Sequence, residues 1–127
     1  MNVKSLIPKD KSDIETAEKL KNYSYQELKS IIPDLLIWLQ DGNWPIAKTI
    51  SEYLQSICEN ISDEIFDVFK TNDLEWKYYM ILSFGSITND ELIRNEIIRI
   101  AKNPTEMEID SGLNEIAIET ISIKKWN

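Results

Sequence analysis

Histidine occurs nowhere in the 127 residues, and cysteine occurs once, as Cys58. Without an imidazole the chain has neither the commonest general base near neutral pH nor the Ser-His and Cys-His nucleophile systems built on one. A single thiol and no imidazole also exclude the ordinary structural zinc sets. Cys58 has no partner for an internal disulfide, which suits a reducing compartment. Glycine appears three times and proline four times. Three glycines cannot build a glycine-rich phosphate loop, and so few breakers predict long regular elements joined by short turns. No segment reaches the roughly 20 apolar residues of a membrane span. The first residues, MNVKSLIPKDKSD, carry no apolar run of the kind a secretory signal needs. A cytoplasmic location is therefore expected, no cofactor is expected, and carboxylates are the catalytic groups left to weigh.

What is present is an aliphatic, acidic chain. Hydrophobic residues make up 43% and charged residues 28%, proportions that fold into a core, and the length suits one domain over residues 1–127. Isoleucine fills 21 positions. The net charge is −8, and it is unevenly spread: residues 1–40 hold six lysines and six acids, whereas residues 41–127 hold eight basic and sixteen acidic residues. An acidic field of this kind favours a basic protein partner and disfavours nucleic acid and anionic membranes. It also serves solubility.

Periodicity decides in favour of helices. Ser12-Asp13-Ile14-Glu15 and Ser24-Tyr25-Gln26-Glu27 fit the capping box. They predict one helix to about Asn22 and a second from Tyr25 towards Leu39, hinged at Ile32 by Pro33. Asp41-Gly42-Asn43 then supplies residues that tolerate left-handed or turn geometry, and Pro45 suits the first turn of a new helix. In that helix Ile46, Ala47, Ile50, Leu54, Ile57 and Cys58 recur at spacings of three and four, so Cys58 is read as a core residue. Ser62 is placed to cap a short helix through Lys70, burying Ile65, Phe66 and Phe69. LEWKYYMILSF, residues 74–84, is apolar nearly all round and is placed in the middle of the fold, stopped by Gly85. Thr88 or Asn89 starts the next helix, with Leu92, Ile93, Ile97, Ile100 and Ala101 facing inward, and a last helix runs from about Ser111 to Ile123. The sum is an all-α chain of about six to seven helices.

Acid clusters are the remaining sources of chemistry. Glu106, Glu108 and Asp110 alternate like the start of a calcium loop, but Ser111 stands where glycine is required and Ala117 where the bidentate Glu belongs, so a solvated loop is expected. Glu59, Asp63, Glu64, Asp67, Asp73 and Glu75 gather around the short helix, and nothing in the sequence sets a catalytic separation between any two. Lys124-Lys125-Trp126 reads as a tail.

The tryptophans are more specific. Trp38, among aliphatic neighbours, belongs in the core. Asp41 and Trp44, and again Asp73 and Trp76, set an acid and an indole three residues apart, and the two pairs lie 32 residues apart. This weak echo has the length of one helix pair of an α-solenoid. With Glu75, these residues make Asp41, Trp44, Asp73, Glu75 and Trp76 the candidate partner-binding set, an edge suited to a basic, partly apolar protein.

LIPKDKSD, LLIWLQDGNWPIAK, EWKYYMI and AKNPTE, in that order along the chain, resemble a bacterial family catalogued as a domain of unknown function, number five thousand and seventy-one. The resemblance implies a short HEAT-like α-α superhelix, a right-handed solenoid of helical hairpins, and it implies no reaction, cofactor or ligand. The expected function is a non-catalytic interaction module with an acidic, Trp-bearing face, in its most specific form an immunity-type protein that neutralises a basic toxin. The alternative is a carboxylate enzyme with a pocket between helices. An exposed end face of so short a solenoid would also be free to pair in a homodimer.

Overall fold

The computed structural model describes residues 2–126, so the expected 1–127 span includes one residue at each end outside the described ones. The first helix, α1 (Ile14–Lys19), is capped by Asp13, whose Oδ1 accepts the Thr16 amide at 3.3 Å. Its Oδ2 accepts the Lys9 amide at 2.9 Å. The expected cap was Ser12; a carboxylate one residue on serves both the incoming loop and the helix. A 3-10 turn, Leu20–Asn22, ends this segment where the sequence signals it.

The Ser24–Glu27 capping box forms in both directions and starts α2 (Tyr25–Leu28). The single bent helix expected to follow is instead a chain of short pieces. A 3-10 turn, Lys29–Ile31, leads into α3 (Ile32–Leu36), and a second, Ile37–Leu39, ends it. The hinge lies at Ile31 (φ −106°, ψ 3°) and not at Ile32, which keeps helical angles of −54° and −45°. Pro33 therefore falls in the first turn of α3, where its missing amide proton costs no hydrogen bond.

At the following corner Asp41 Oδ1 accepts the Asn43 amide at 2.8 Å, and the Asp41 carbonyl accepts the Trp44 amide at 3.1 Å. The Ile46 amide donates across to the Lys11 carbonyl at 3.1 Å, tying the corner to the N-terminal loop. Gly42 does not use left-handed backbone, since Gly112 and Lys125 are the positive-φ positions among the described residues. Glycine at 42 leaves room for the ring of Tyr79, which would have to shift if a Cβ were added there. Pro45 stays in the turn, and α4 (Ala47–Ser56) starts two residues later. Ile46, Ala47, Ile50 and Leu54 are buried as the period predicts. Cys58 is buried too, though in a 3-10 turn beyond the end of α4.

In α5 (Ser62–Phe69), Ser62 is the first helical residue and Ile61 the N-cap, without a side-chain bond; Val68 is buried and Phe66 only partly so. Next comes α6 (Leu74–Phe84), with the expected bounds and Asp73 as its cap. It touches α4, α5 and the last two helices, which makes it the central element. Leu82 and Glu75 mark its one exposed stripe. Asp90, not Thr88 or Asn89, caps α7 (Glu91–Lys102), while Thr88 is buried and its hydroxyl accepts the Asp90 amide at 3.1 Å. Ile93, Ile97 and Ile100 face inward, but Leu92 is 59% exposed and faces out.

The expected loop after Pro104 is a helix, α8 (Glu106–Ser111), started by a complete Thr105–Glu108 capping box. Left-handed Gly112 (φ 81°) turns it into α9 (Leu113–Lys124), which packs on α6, α7 and α8. Lys124-Lys125-Trp126 is likewise not a loose tail. The Trp126 amide donates to the Ile121 carbonyl and the Lys125 amide to Ser122, a Schellman cap with Lys125 left-handed (φ 57°). Arg94 lies 5.3 Å and Lys124 5.9 Å from the Trp126 ring centre.

The described residues thus form nine α-helices and no strand. The excess over six to seven comes from the splitting of the second helix and from α8. The order of helices and short turns is compatible with an α-α superhelix. Among the described residues no helix is long and apolar enough to cross a membrane.

Candidate functional site

The two tryptophans of the candidate set both lean on the end of α3 and the 3-10 turn that follows it. The Trp44 ring meets Trp38 edge-on, with centroids 5.7 Å apart and planes at 67°. The Trp76 indole N–H donates to the Leu36 carbonyl at 3.1 Å. Each is partly buried against the core, and so is Trp38, which the sequence placed fully inside. The two pairs are not structural equivalents. Trp76 sits within the first turn of α6, whereas Trp44 precedes α4 in a turn, and α5 intervenes between the two helices.

Asp41 and Asp73 have local work as acceptors: Asp41 holds the corner, and Asp73 Oδ1 accepts the Trp76 amide at 3.0 Å. Glu75 is exposed. Asp41 and Glu75 flank Tyr79, whose hydroxyl accepts from Asn43 Nδ2 at 3.3 Å. Burial first, and then these two carboxylates, push the Tyr79 phenol above its ordinary value.

The acids nearest the Trp76 recess come from a different element. A recess of about 190 Å³ is lined by Pro33, Leu36, Val68 and Trp76, with Thr71, Glu64 and Asp67 completing the lining. Glu64 and Asp67 are three residues apart on α5, so the helical period sets them on one face. Burial raises the Glu64 carboxyl above the usual range, and Asp63 and Asp67 add to the rise, against opposing pulls from its own backbone N–H and Lys29. Asp67 pairs with Lys70 at 3.3 Å, both side chains being more than 60% exposed. Sequence reasoning had named Glu64 and Asp67 only as members of an acid cluster, because the i,i+3 spacing was visible and the Trp76 contact was not.

Two of the larger recesses are open, with more apolar than polar surface in their lining. One, of about 580 Å³, runs between Glu18, Lys21, Tyr25, Glu52 and Tyr53. The other, of about 600 Å³, lies between Asn72, Lys77, Met107 and Glu108. Beside the second, Arg99 grips buried Glu108 bidentately at 2.6 and 3.0 Å, and also bonds Glu96. Burial pushes the Glu108 carboxyl up, but the Arg99 guanidinium, the Thr105 amide and nearby Lys77 outweigh it and hold the value below the ordinary range. Glu106, Glu108 and Asp110, which alternate like a calcium loop, are therefore helical residues, one of them locked to arginine. Among the described residues no group of three or more His, Cys, Asp or Glu side chains is placed to hold a metal ion.

The family described as Domain of unknown function (DUF5071) matches residues 6–121, and the chain belongs to it. No curated protein matches the chain.

Proposed function

We propose that this member of the DUF5071 family is a non-catalytic protein-interaction module, and that its acidic, tryptophan-bearing face holds a basic protein partner. The observation that carries the reading is Trp76. Its indole is locked by the Leu36 carbonyl yet still lines an open recess that it shares with two carboxylates. A rigid aromatic with one side open and acids beside it is the usual anchor of an interface with a cationic surface. The acidic surplus beyond residue 40 adds long-range attraction for the same class of partner. A HEAT-like superhelix would present such a face on stacked helices, and an immunity-type protein that blocks a basic toxin is the most specific form of the idea.

Affinity capture from native lysate at low and at high salt tests it. A stoichiometric basic protein, retained at low salt and lost at high salt, is expected. A folded bait that captures nothing overturns the reading. One observation favours the enzyme alternative, the raised carboxyl of Glu64 in a recess. That alternative requires Glu64→Gln to abolish turnover of a small substrate while capture is unchanged.

A further inference from the structure

We propose that the recess beside Trp76 is the receptor for one arginine side chain of a basic partner protein, held between the indole and the carboxylates of Glu64 and Asp67. The proposal rests on the reading of the chain as an interaction module and names the contact that such a module would use.

Size comes first. At about 190 Å³ the recess is below the roughly 300–1,000 Å³ of sites that enclose drug-sized ligands, and its size suits a single long side chain. Its lining divides by chemistry. Pro33, Leu36, Val68 and the Trp76 ring offer an apolar bed for the methylene stem of a long side chain, and Glu64, Asp67 and Thr71 offer oxygen acceptors for its head.

Charge then selects a cation. Glu64 is partly buried and forms no ion pair with any described residue. Burial raises its carboxyl, Asp63 and Asp67 add to the rise, and its own backbone N–H and the charge of Lys29 do not cancel it. A desolvated carboxylate without a counter-ion is a standing cost that an incoming cation removes. Asp67 is engaged only by Lys70, in an exposed pair of the kind that contributes little and exchanges easily. Both acids are therefore available to a guest.

The chemistry of the lining favours arginine over lysine. A planar guanidinium stacks on an indole and reaches two carboxylates with separate N–H groups, whereas an ammonium is a compact, strongly hydrated point charge. The hydrogen bond from Trp76 Nε1 to the Leu36 carbonyl fixes the indole before any guest arrives, so little ordering cost remains at binding.

The test is a titration followed on the indole N–H resonance of Trp76 in the ¹⁵N-labelled full chain. The probes are N-acetyl-arginine amide and its neutral isostere N-acetyl-citrulline amide. Arginine amide is expected to shift the Trp76 indole signal and the amides of Val68 and Thr71 saturably, and the citrulline analogue to leave them in place. Glu64→Gln is expected to weaken the arginine response about tenfold, the loss of one charge-assisted contact, and Glu64→Gln with Asp67→Asn to abolish it. Circular dichroism confirms that both variants are folded. An equal response to the two probes, an unchanged response in the double variant, or a shift that appears elsewhere and not at Trp76 overturns the proposal. Failure here is separable from failure of the broader reading. A double variant that still captures the basic partner leaves the module standing and removes the Trp76 recess from its interface.

Discussion

Between Ile14 and Leu39 the chain breaks into α1, α2 and α3 and three 3-10 turns, and no helix there exceeds six residues; α6, α7 and α9 run 11, 12 and 12 residues. Isolated helices as short as the first group have no stability of their own in water. What holds them is burial. Leu20, Leu28, Ile31, Ile32, Leu35, Leu36 and Leu39 are each 2% exposed or less. The long C-terminal helices run about three turns, and their region combines buried apolar surface with polar fixings: the Asp73 and Asp90 caps, the Thr105–Glu108 box and the Arg99–Glu108 pair. Both regions have capped helix starts, but one consists of pieces too short to stand without packing, while the other adds longer helices and the Arg99–Glu108 ion pair. They meet where Trp76 of α6 bonds the carbonyl of Leu36.

The comparison is broken most severely by core truncation. Leu35→Ala and Ile97→Ala remove fully buried side chains from opposite regions, and each is expected to cost about 2–5 kcal/mol in urea unfolding. If the junction makes the regions one cooperative unit, tryptophan fluorescence and far-ultraviolet circular dichroism report a single coincident transition in both variants. Two separated transitions in Leu35→Ala would show that the N-terminal segment unfolds by itself.

Glu108→Gln tests the polar fixing that only the C-terminal region has. Breaking a buried pair costs about 3–5 kcal/mol, but Arg99 is 37% exposed, so about 2 kcal/mol is expected after screening. The pH dependence carries a sign. The folded-state carboxyl lies below its ordinary value of 4.5, so its contribution is complete above that value and is lost as pH falls through the lower, folded-state value. Wild type should lose stability on acidification below about pH 4.5 more steeply than Glu108→Gln. Parallel curves for the two proteins would remove Glu108 from the account.

Trp38→Ala is expected to cost about 2 kcal/mol, less than the 3–5 of a fully buried aromatic, because Trp38 is only partly covered and shares its contact with Trp44. A loss as large as that of Leu35→Ala would make the Trp38–Trp44 contact part of the core. The smallest effects are at the caps. Ser24→Ala and Asp90→Ala should each cost about 1 kcal/mol. Amide exchange is the sharper readout: α2, four residues long, should lose protection throughout, while α7 frays only in its first turn.

The same contrast explains what could be read from residues alone. In α4 the apolar period and the turns agree, in α6 a nearly all-apolar run lies between two turn signals, and burial or bounds followed closely. In α2 and α3 the aliphatic run Ile31-Ile32 through Leu39 is too dense to show a period, so neither the 3-10 turns nor the hinge at Ile31 was visible. The start of α8 is marked in the sequence by Thr105 and Glu108 at capping-box spacing, but six residues with acids at alternate positions are too short a run to show a helical apolar period. Of the site, the candidate residue Trp76 could be singled out by its place beside an acidic turn. Its neighbours Pro33, Leu36, Glu64 and Asp67 lie up to 43 positions away in the chain, and only tertiary packing brings them together.

Cys58 gives the molecule a clock. Its thiol is 4% exposed, and burial, with help from Glu59, pushes its pKa up to about 11, so in the closed fold it is both shielded and overwhelmingly protonated at neutral pH. Because thiolate is the reactive form, a maleimide or disulfide reagent must wait for the turn between α4 and α5 to open. The rate at which this one thiol disappears, followed over reagent concentration, reports how often that turn opens.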